Sequence, residues 1–362
     1  MSFPKKVDIR DDTMREGLQI ESKDIPVSEK LRLLDAIGEM VPRGATVSVG
    51  SFAHPKWTPQ MACIDEIVEK FVPKPGITYT AAVFNPVGFQ RADKYYPKIN
   101  VRIMEYQTSV YLSDTFARRN FNRTQEQQIA EMDLVIQRAR KAGVKAGKVG
   151  IGAPWGCNFE GEYTQEQLIK MVDKCIQRWH EAGLPVEAVS FQDAMGWNMP
   201  EKVKESISII RDKYPEVKDF YMHLHNQRGQ AIISCYEALK LGVTHFDTDL
   251  GGMGGCPYCG NGRMAGFVPT EDFVYLCEEM GIATGYNLDA LIEAAVIAEE
   301  VVGHQLWGKV AKAGPMPRGN KLYPRTMPLV ETAEQAAHFR KGPSVYANGI
   351  YPWKEGDPLL AM

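Results

Sequence analysis

The stretch FYMHLHN at residues 220–226 contains both the fold signal and the strongest functional signal of the sequence. Residues 220–224 form a short apolar run typical of a buried strand, and residues 229–241 follow with the apolar spacing of a helix. His223 and His225 are separated by one residue, a spacing that places both imidazoles on one face of a strand. The stretch therefore predicts a strand–helix unit with two histidines where its strand ends.

The same alternation of short β-prone runs and longer amphipathic segments recurs along the chain. Strands are predicted at residues 7–10, 46–50, 77–83, 101–105, 148–151, 188–192, 220–224 and 244–248. Helical spacing is found at residues 28–39, 124–142, 164–182, 200–214 and 229–241. Strands that alternate with helices form parallel sheets, and eight such units predict a closed (β/α)8 TIM barrel. An open doubly wound sheet is the alternative, but no Gly-x-Gly-x-x-Gly turn opens a helix after the first strand.

The domain organisation follows from where this pattern stops. Residues 1–312 are predicted to form one catalytic barrel domain, with outer helices at 271–280 and Leu288–Val302. Residues 313–362 form a C-terminal extension, because Pro, Gly and aromatic residues replace the periodic pattern there. We expect this extension to pack on the barrel or on a partner subunit; a lid or dimer arm is the alternative.

Composition excludes several classes of protein. The 362 residues are 44% hydrophobic and 24% charged, which is typical of a globular chain and not of a disordered or fibrous one. A net charge of -3 argues against binding to nucleic acid or an anionic membrane, since both need excess Lys and Arg. No run of about 18 apolar residues is free of charged residues, and the start MSFPKKVDIR lacks the apolar region of a secretory signal, so a cytoplasmic location is expected. Its seven cysteines are then expected to be reduced thiols.

Polar residues directly follow several predicted strands, and in a TIM barrel these strand ends form the active site. Two imidazoles on one strand face, near carboxylates of neighbouring strands, favour a divalent-metal site over two separate buried histidines. Glu16, after the first strand, is the candidate carboxylate ligand. Oxygen ligands favour Mg²⁺ or Mn²⁺, whereas the imidazoles leave Zn²⁺ or Fe²⁺ as alternatives. Arg15 offers a permanent positive charge where an oxyanion would develop.

A glycine-rich loop is predicted after the eighth strand. Residues 251–262 contain six glycines and two cysteines, which suits a mobile active-site loop that approaches a ligand closely. We interpret Cys256 as a thiol that donates or shuttles a proton. A redox pair formed by Cys256 and Cys259 is the alternative, although such pairs usually start a helix in a thioredoxin-like fold.

Several of these motifs together resemble a known family. They are REGLQ (15–19), SFAHPKWTPQM (51–61), HLHN (223–226) with GQA (229–231), GGMGGCPY (251–258) and TED (270–272). The chain from about residue 5 to about residue 314 resembles 3-hydroxy-3-methylglutaryl-CoA lyase and its relatives, the metallolyase barrels that include isopropylmalate and homocitrate synthases. The resemblance implies an acyl-CoA thioester substrate and a homodimer.

The resemblance also implies roles for individual residues. His223, His225 and the acid after Arg15 would hold the divalent metal, and Arg15 would stabilise an enolate. Cys256 would take part in proton transfer, and Asp193 matches an aspartate near the substrate. The positions expected to contact the substrate are Gln19, Ser48 and Asn226.

The sequence departs from the family pattern at three places. Glu16 stands where the family has Asp, and Ser48 stands where it has Glu at the end of the second strand. Phe267 follows Ala-Gly where the family has an asparagine that ligates the metal, and Phe cannot ligate. The loop is two residues longer, so Asn261 is expected to replace that ligand, with water as the alternative.

The expected activity is therefore a metal-dependent carbon–carbon lyase. It would cleave a 3-hydroxy-3-carboxyalkyl acyl-CoA by a retro-Claisen reaction to an acyl-CoA and an oxo acid. One alternative is the same site run as a condensing synthase. The others are a barrel that binds a metabolite without turnover and a thiol redox protein.

Overall fold

The computed structural model describes residues 3–260, 266–322 and 325, and it has the TIM-barrel fold predicted from the sequence. Eight parallel strands form one sheet. They are β1 (Asp8–Asp11), β2 (Thr46–Ser51), β3 (Thr78–Ala82), β4 (Gln107–Tyr111), β5 (Gly147–Gly152), β6 (Val186–Asp193), β7 (Asp219–Leu224) and β8 (His245–Thr248).

The order of the strands in the sheet brings the chain's first and last strands together. The sheet runs β3-β2-β1-β8-β7-β6-β5-β4, and β1 pairs with both β2 and β8. The sheet therefore curls, with β3 and β4 at the two ends of the hydrogen-bonded series. Because all eight strands are parallel, their carboxyl ends share one rim.

Helices connect the strands and cover the outside of the sheet. They are α1 (Val27–Met40), α2 (Ile64–Lys70), α3 (Pro86–Asp93), α4 (Asp114–Phe121), α5 (Gln125–Lys141), α6 (Gln165–Glu181), α7 (Pro200–Lys213), α8 (Ala231–Lys240), α9 (Thr270–Glu279), α10 (Leu288–Val302) and α11 (Val310–Ala313). Thr124 and Thr164 each begin a helix with a capping box, closed by Gln127 and Gln167. Among the described helices, none is long and apolar enough to cross a lipid bilayer.

The fourth strand lies later in the sequence than predicted. Val101–Met104 is a 3₁₀ helix, and the strand is Gln107–Tyr111. The Asn100 side chain accepts a hydrogen bond from the backbone N–H of Arg102, and this contact starts the 3₁₀ turn. The hydrophobicity pattern of residues 101–105 does not indicate this turn. The prediction of a strand at 101–105 was wrong, while the number and order of strands were correct.

One close approach fixes the layer between the sheet and α6. The side chain of Trp179 is fully buried, and its Nε1 donates to Thr108 Oγ1 at 3.1 Å. A Cβ atom on Gly147, the first residue of β5, would lie only 2.4–2.6 Å from three ring atoms of Trp179. Only glycine leaves room for the indole at this point.

The boundary expected at residue 312 falls inside α11. Two contacts join the described part of the extension to α9. The backbone N–H of Met316 donates to the hydroxyl of Tyr275 at 3.2 Å, and Arg318 forms an ion pair with Glu279 at 2.6 Å. Most of the predicted extension lies outside the described residues.

Candidate metal centre

Three potential metal ligands meet at the carboxyl-end rim of the barrel. Glu16, His223 and His225 each offer a ligand atom, and these atoms all lie within 4.8 Å of one another. Glu16 comes from the segment after β1, whereas the two histidines lie at the end of β7. His225 Nε2 is 3.5 Å from Glu16 Oε1. Among the described residues this is the cluster whose geometry suits a metal ion.

A neighbouring carboxylate fixes the orientation of the His223 ring. Its Nδ1 lies 2.9 Å from Asp247 Oδ2, and Arg10 binds the same carboxylate at 2.5 Å. A ring held at one nitrogen by a carboxylate presents its other nitrogen to a metal, as is usual in metalloproteins. Neither Asp247 nor Arg10 was expected from the sequence. The signal that could have found them is their place next to each other on the paired strands β1 and β8.

His225 is held in the neutral form that a metal ligand requires. Burial lowers the pKa of His225 well below its ordinary value, and the positive fields of His223 and Arg15 act in the same direction. Its Nδ1 has no hydrogen-bond partner among the described residues. A buried imidazole that is neutral and has one nitrogen without a hydrogen-bond partner fits a metal site better than a purely structural role.

The ring of Phe267 covers both imidazoles. It lies 4.6 Å from the His223 ring and 4.9 Å from the His225 ring, meeting His225 edge-on at 85°. Phe267 is completely buried, and its backbone bridges to that of His225. One side of the cluster is thus closed by an apolar wall. Asn261, the expected substitute ligand, lies outside the described residues.

Arg15 stands between two acids at the rim. It forms ion pairs with Glu16 and, at 3.3 Å, with Asp12. Burial raises the pKa of the Asp12 carboxyl, but Arg15 and Arg10 outweigh burial, so the net shift is downward. Ser48 adds a hydrogen bond to Asp12 in the same direction. Asp12 is therefore a charged group at neutral pH, and Ser48 touches it.

Two further carboxyl groups at this rim, those of Asp11 and Asp249, have pKa values that burial raises. Burial raises the pKa of Asp11 to about 7, although hydrogen bonds from Thr13 oppose the rise. Burial also raises the pKa of Asp249 well above its ordinary range, and the negative charges of Asp12 and Glu16 add to the effect. Neither carboxyl oxygen of Asp249 has a hydrogen-bond partner among the described residues.

Two other predicted site residues, the catalytic candidate Asp193 and the substrate-contact candidate Asn226, have partners within the protein. Asp193 Oδ2 accepts hydrogen bonds from the backbone and the side chain of Asn198 at 2.6 and 2.8 Å, while burial raises the pKa of Asp193. Its Oδ1 has no partner in the described part of the chain. Asn226 Oδ1 accepts the N–H of Ala231 at 2.9 Å at the start of α8. Asn226 thus supports a helix end, whereas Asp193 keeps one free oxygen.

The glycine-rich segment after β8 packs directly on the ligand cluster. Gly254 has φ +94°, and a Cβ on it would lie 2.8 Å from Asp249 Oδ2 and 3.3 Å from Glu16 Cγ. Gln19 Nε2 lies 3.5 Å from the carbonyl oxygen of Gly255. Cys256 follows and is buried in a cluster with Tyr111, the last residue of β4, so the expected proton donor lies at the same rim.

The two loop cysteines are reduced and close to each other. Both Cys256 and Cys259 are free thiols. A hydrogen bond with Cys256, followed by burial, raises the pKa of the Cys259 thiol. Cys259 Sγ also lies 3.3 Å from the carbonyl oxygen of Ala194. The thiol of Cys259 is therefore protonated at neutral pH.

The start of this loop is held by later parts of the chain. The carbonyl oxygen of Gly251 accepts the N–H groups of Trp307 and Gly308 at 2.8 and 2.9 Å. The N–H of Gly251 donates to Glu271 Oε2 at 3.0 Å. Both backbone groups of this glycine are thus satisfied from outside the loop.

Comparisons with known proteins agree with this fold and rim. The family model described as HMGL-like matches residues 6–297. Bovine mitochondrial hydroxymethylglutaryl-CoA lyase is 30% identical over 313 residues, which cover 86% of this chain and 90% of that protein. A 3-hydroxy-3-isohexenylglutaryl-CoA/hydroxy-methylglutaryl-CoA lyase of Pseudomonas aeruginosa is 30% identical over 314 residues, which cover 86% of this chain and 98% of that protein.

A solved structure extends the comparison to three dimensions. An HMG-CoA lyase from Acinetobacter baumannii, in complex with coenzyme A and 3-methylmalate, has a TM-score of 0.73 at 27% identity. The match covers 90% of this chain and 99% of that one. The chain belongs to the HMGL-like family, and its enzyme class is that of a carbon–carbon lyase. The resemblance seen in the sequence motifs is thereby confirmed.

Proposed function

We propose that this enzyme is a metal-dependent lyase that cleaves a 3-hydroxy-3-carboxyalkyl acyl-CoA to an acyl-CoA and an oxo acid. The observation that carries the proposal is the convergence of Glu16, His223 and His225 beside Arg15 at one barrel rim. Relatives named as hydroxymethylglutaryl-CoA lyases, and a structural relative with bound coenzyme A, support an acyl-CoA substrate.

The donor set fits a divalent cation. Two imidazoles and one carboxylate would hold it, and the neutral state of His225 and the orientation of His223 suit ligation. Carboxylate oxygens nearby favour Mg²⁺ or Mn²⁺, with Zn²⁺ as the alternative. When bound, such an ion would lower the pKa of a substrate hydroxyl and polarise a neighbouring oxygen.

Residues of the chain would then stabilise the negative charge of the enolate and transfer the protons. The 3-hydroxyl loses its proton to a base, the carbon–carbon bond breaks, and its electron pair passes into the thioester enolate. Arg15 offers a charge that cannot be lost to deprotonation, held in place by Asp12 and Glu16, and it stabilises the enolate oxygen. Cys256 gives its thiol proton to the enolate carbon, which completes the acyl-CoA product.

Turnover of a set of 3-hydroxyacyl-CoA esters, with Mg²⁺ or Mn²⁺ added and products followed by mass spectrometry, tests the proposal. We expect an acyl-CoA and an oxo acid to form together, and chelation to abolish their formation. His223→Ala and His225→Ala should each remove activity. His180→Ala, a change at a surface histidine paired with Glu216, should keep it. Activity that survives both chelation and loss of the histidines would refute the metal mechanism.

The condensing direction is distinguished by the same assay. Incubation with an acyl-CoA and an oxo acid would yield a longer product only if the enzyme acts as a synthase. We also propose that the enzyme is a cytoplasmic homodimer and that residues 313–362 pack on the barrel or on the partner. Light scattering at increasing concentration would test the dimer.

A further inference from the structure

Asp249 is a buried acid that the proposed reaction does not use. It follows β8, and its side chain is 0% exposed. Its backbone is fully occupied, because its N–H donates to Val268 and its carbonyl accepts from Thr270. Both side-chain oxygens lack a hydrogen-bond partner in the described part of the chain. A buried carboxyl group without hydrogen-bond partners is unfavourable unless something binds it.

The surroundings of Asp249 point towards the ligand cluster. A Cβ atom added to Gly254 would lie 2.8 Å from Asp249 Oδ2 and 3.3 Å from Glu16 Cγ, so these two side chains lie close to the same point. The other charges that act on it are those of Asp12, Asp11 and Arg15, all at the same rim. Asp249 therefore faces the side of the rim where Glu16 is held.

The charges at this rim do not balance. Within the described residues, its carboxyl groups outnumber its guanidinium groups; the acids are Asp11, Asp12, Glu16, Asp247 and Asp249, and the bases are Arg10 and Arg15. Repulsion among so many buried acids is strong at low dielectric. A divalent cation would add two positive charges at this acidic rim.

We infer that Asp249 is an outer carboxylate of the divalent-cation site, one that contributes its charge and accepts a hydrogen bond from a water bound to the ion. Asp249 is not among the three residues whose ligand atoms meet within 4.8 Å, so it would not bind the ion directly. Such outer partners commonly change metal affinity by 10–100-fold. The inference rests on the proposed function and adds a residue to its metal site.

Titration of chelator-stripped protein with Mn²⁺ by calorimetry, without substrate, tests this inference. Asp249→Asn should bind Mn²⁺ about 10–100-fold more weakly than the native protein. Asp249→Ser, a second variant in case the first does not fold, should do the same. Asp173→Asn is the control, since it neutralises an acid that pairs with Lys213 on the outer helices and not at the rim. Its affinity should stay within about 2-fold of the native value.

Melting of the stripped proteins separates a metal role from a structural one. The stripped Asp249→Asn variant should melt at or above the native temperature, because the change keeps the shape of the side chain and removes a buried acid that has no hydrogen-bond partner in the described part of the chain. Added Mn²⁺ should then raise its melting point less than it raises the native one. Native Mn²⁺ affinity in both Asp249 variants, or a stripped variant that melts lower, would overturn the inference alone. Native protein that binds no Mn²⁺ would overturn the proposed metal site as well.

Discussion

The Nδ1 atom of His223 lies 2.9 Å from the Oδ2 atom of Asp247. Arg10 forms an ion pair with Asp247 at 2.5 Å. Arg10 on β1 therefore holds Asp247 on β8, and Asp247 fixes the orientation of the His223 ring on β7. The pairing of β8 with both β1 and β7 brings these residues together. The arrangement leaves Nε2 of His223 as the nitrogen available to a metal.

Asp247→Asn should weaken Mn²⁺ binding about 10–100-fold while leaving the barrel folded. The amide keeps the shape of the carboxylate but loses the charge that orients the imidazole. Calorimetric titration of chelator-stripped protein measures the change. Asp173→Asn, which alters an acid paired with Lys213 on the outer helices, is the control. Unchanged affinity in Asp247→Asn would mean that this contact does not orient a ligand.

Cys256→Ser should lower turnover about 10²–10⁴-fold, because a hydroxyl is a poorer proton donor than a thiol. Substrate affinity and melting temperature should change little. Steady-state kinetics and thermal melting would measure these quantities. Cys63→Ser, at a partly exposed cysteine of the outer layer, should behave like the native protein.

A redox role for the loop cysteines predicts a different outcome. Alkylation before and after reduction would then show a disulfide between Cys256 and Cys259, and Cys259→Ser would abolish activity as Cys256→Ser does. A proton-transfer role predicts that Cys259→Ser stays active.

Glu271 should make the protein less stable as the pH rises. Burial raises the pKa of Glu271 from 4.5 to about 8, and the charge of Asp272 adds to the shift. Between these two values the folded protein binds more protons than the unfolded chain, so the free energy of unfolding falls as pH increases. The slope from this one group is at most about 1.4 kcal/mol per pH unit.

Glu271→Gln should reduce that slope between pH 5 and pH 8, as roughly set by the two pKa values. Urea unfolding of stripped protein at several pH values would measure it. Glu181→Gln, at an exposed glutamate at the end of α6, should keep the native slope. Equal slopes in the native protein and Glu271→Gln would contradict the raised pKa.

Gly147→Ala should destabilise the barrel by about 1–3 kcal/mol, because the new methyl group meets the ring of Trp179. Trp179→Leu removes the ring and should make the same glycine change cost less. A double-mutant cycle followed by chemical denaturation gives the coupling between the two positions. Additive effects would show that the ring is not what excludes a side chain at Gly147.

The sequence predicted the repeating architecture well, since periodicity reports which faces are buried. It failed at the fourth strand, where residues 101–105 have the apolar letters of a strand but follow Asn100, which caps a 3₁₀ turn. The true strand, Gln107–Tyr111, is marked by Thr, Val and Tyr rather than by a continuous apolar run. The side-chain cap at Asn100 makes residues 101–104 a 3₁₀ helix, and a pattern of hydrophobicity does not show such a cap.

The candidate site was predicted where neighbours in sequence are neighbours in space. Two histidines one residue apart on a strand needed only the period of a strand. Asp247 and Asp249 escaped notice because their significance depends on which strands pair, which no local pattern states. Phe267 was identified as unable to ligate, but only the fold shows its ring lying against both imidazoles.

The hydrogen bonds that hold the start of the glycine-rich loop have a consequence for how the enzyme folds during its synthesis. The carbonyl oxygen of Gly251 accepts hydrogen bonds from the backbone N–H groups of Trp307 and Gly308. These two residues are synthesised only after β8 and α10 are complete. A nascent chain that ends before Trp307 contains all eight strands of the parallel sheet and both histidines, yet lacks the hydrogen bonds that hold the start of the loop bearing Cys256. Competence for chemistry should therefore emerge later in translation than the barrel itself.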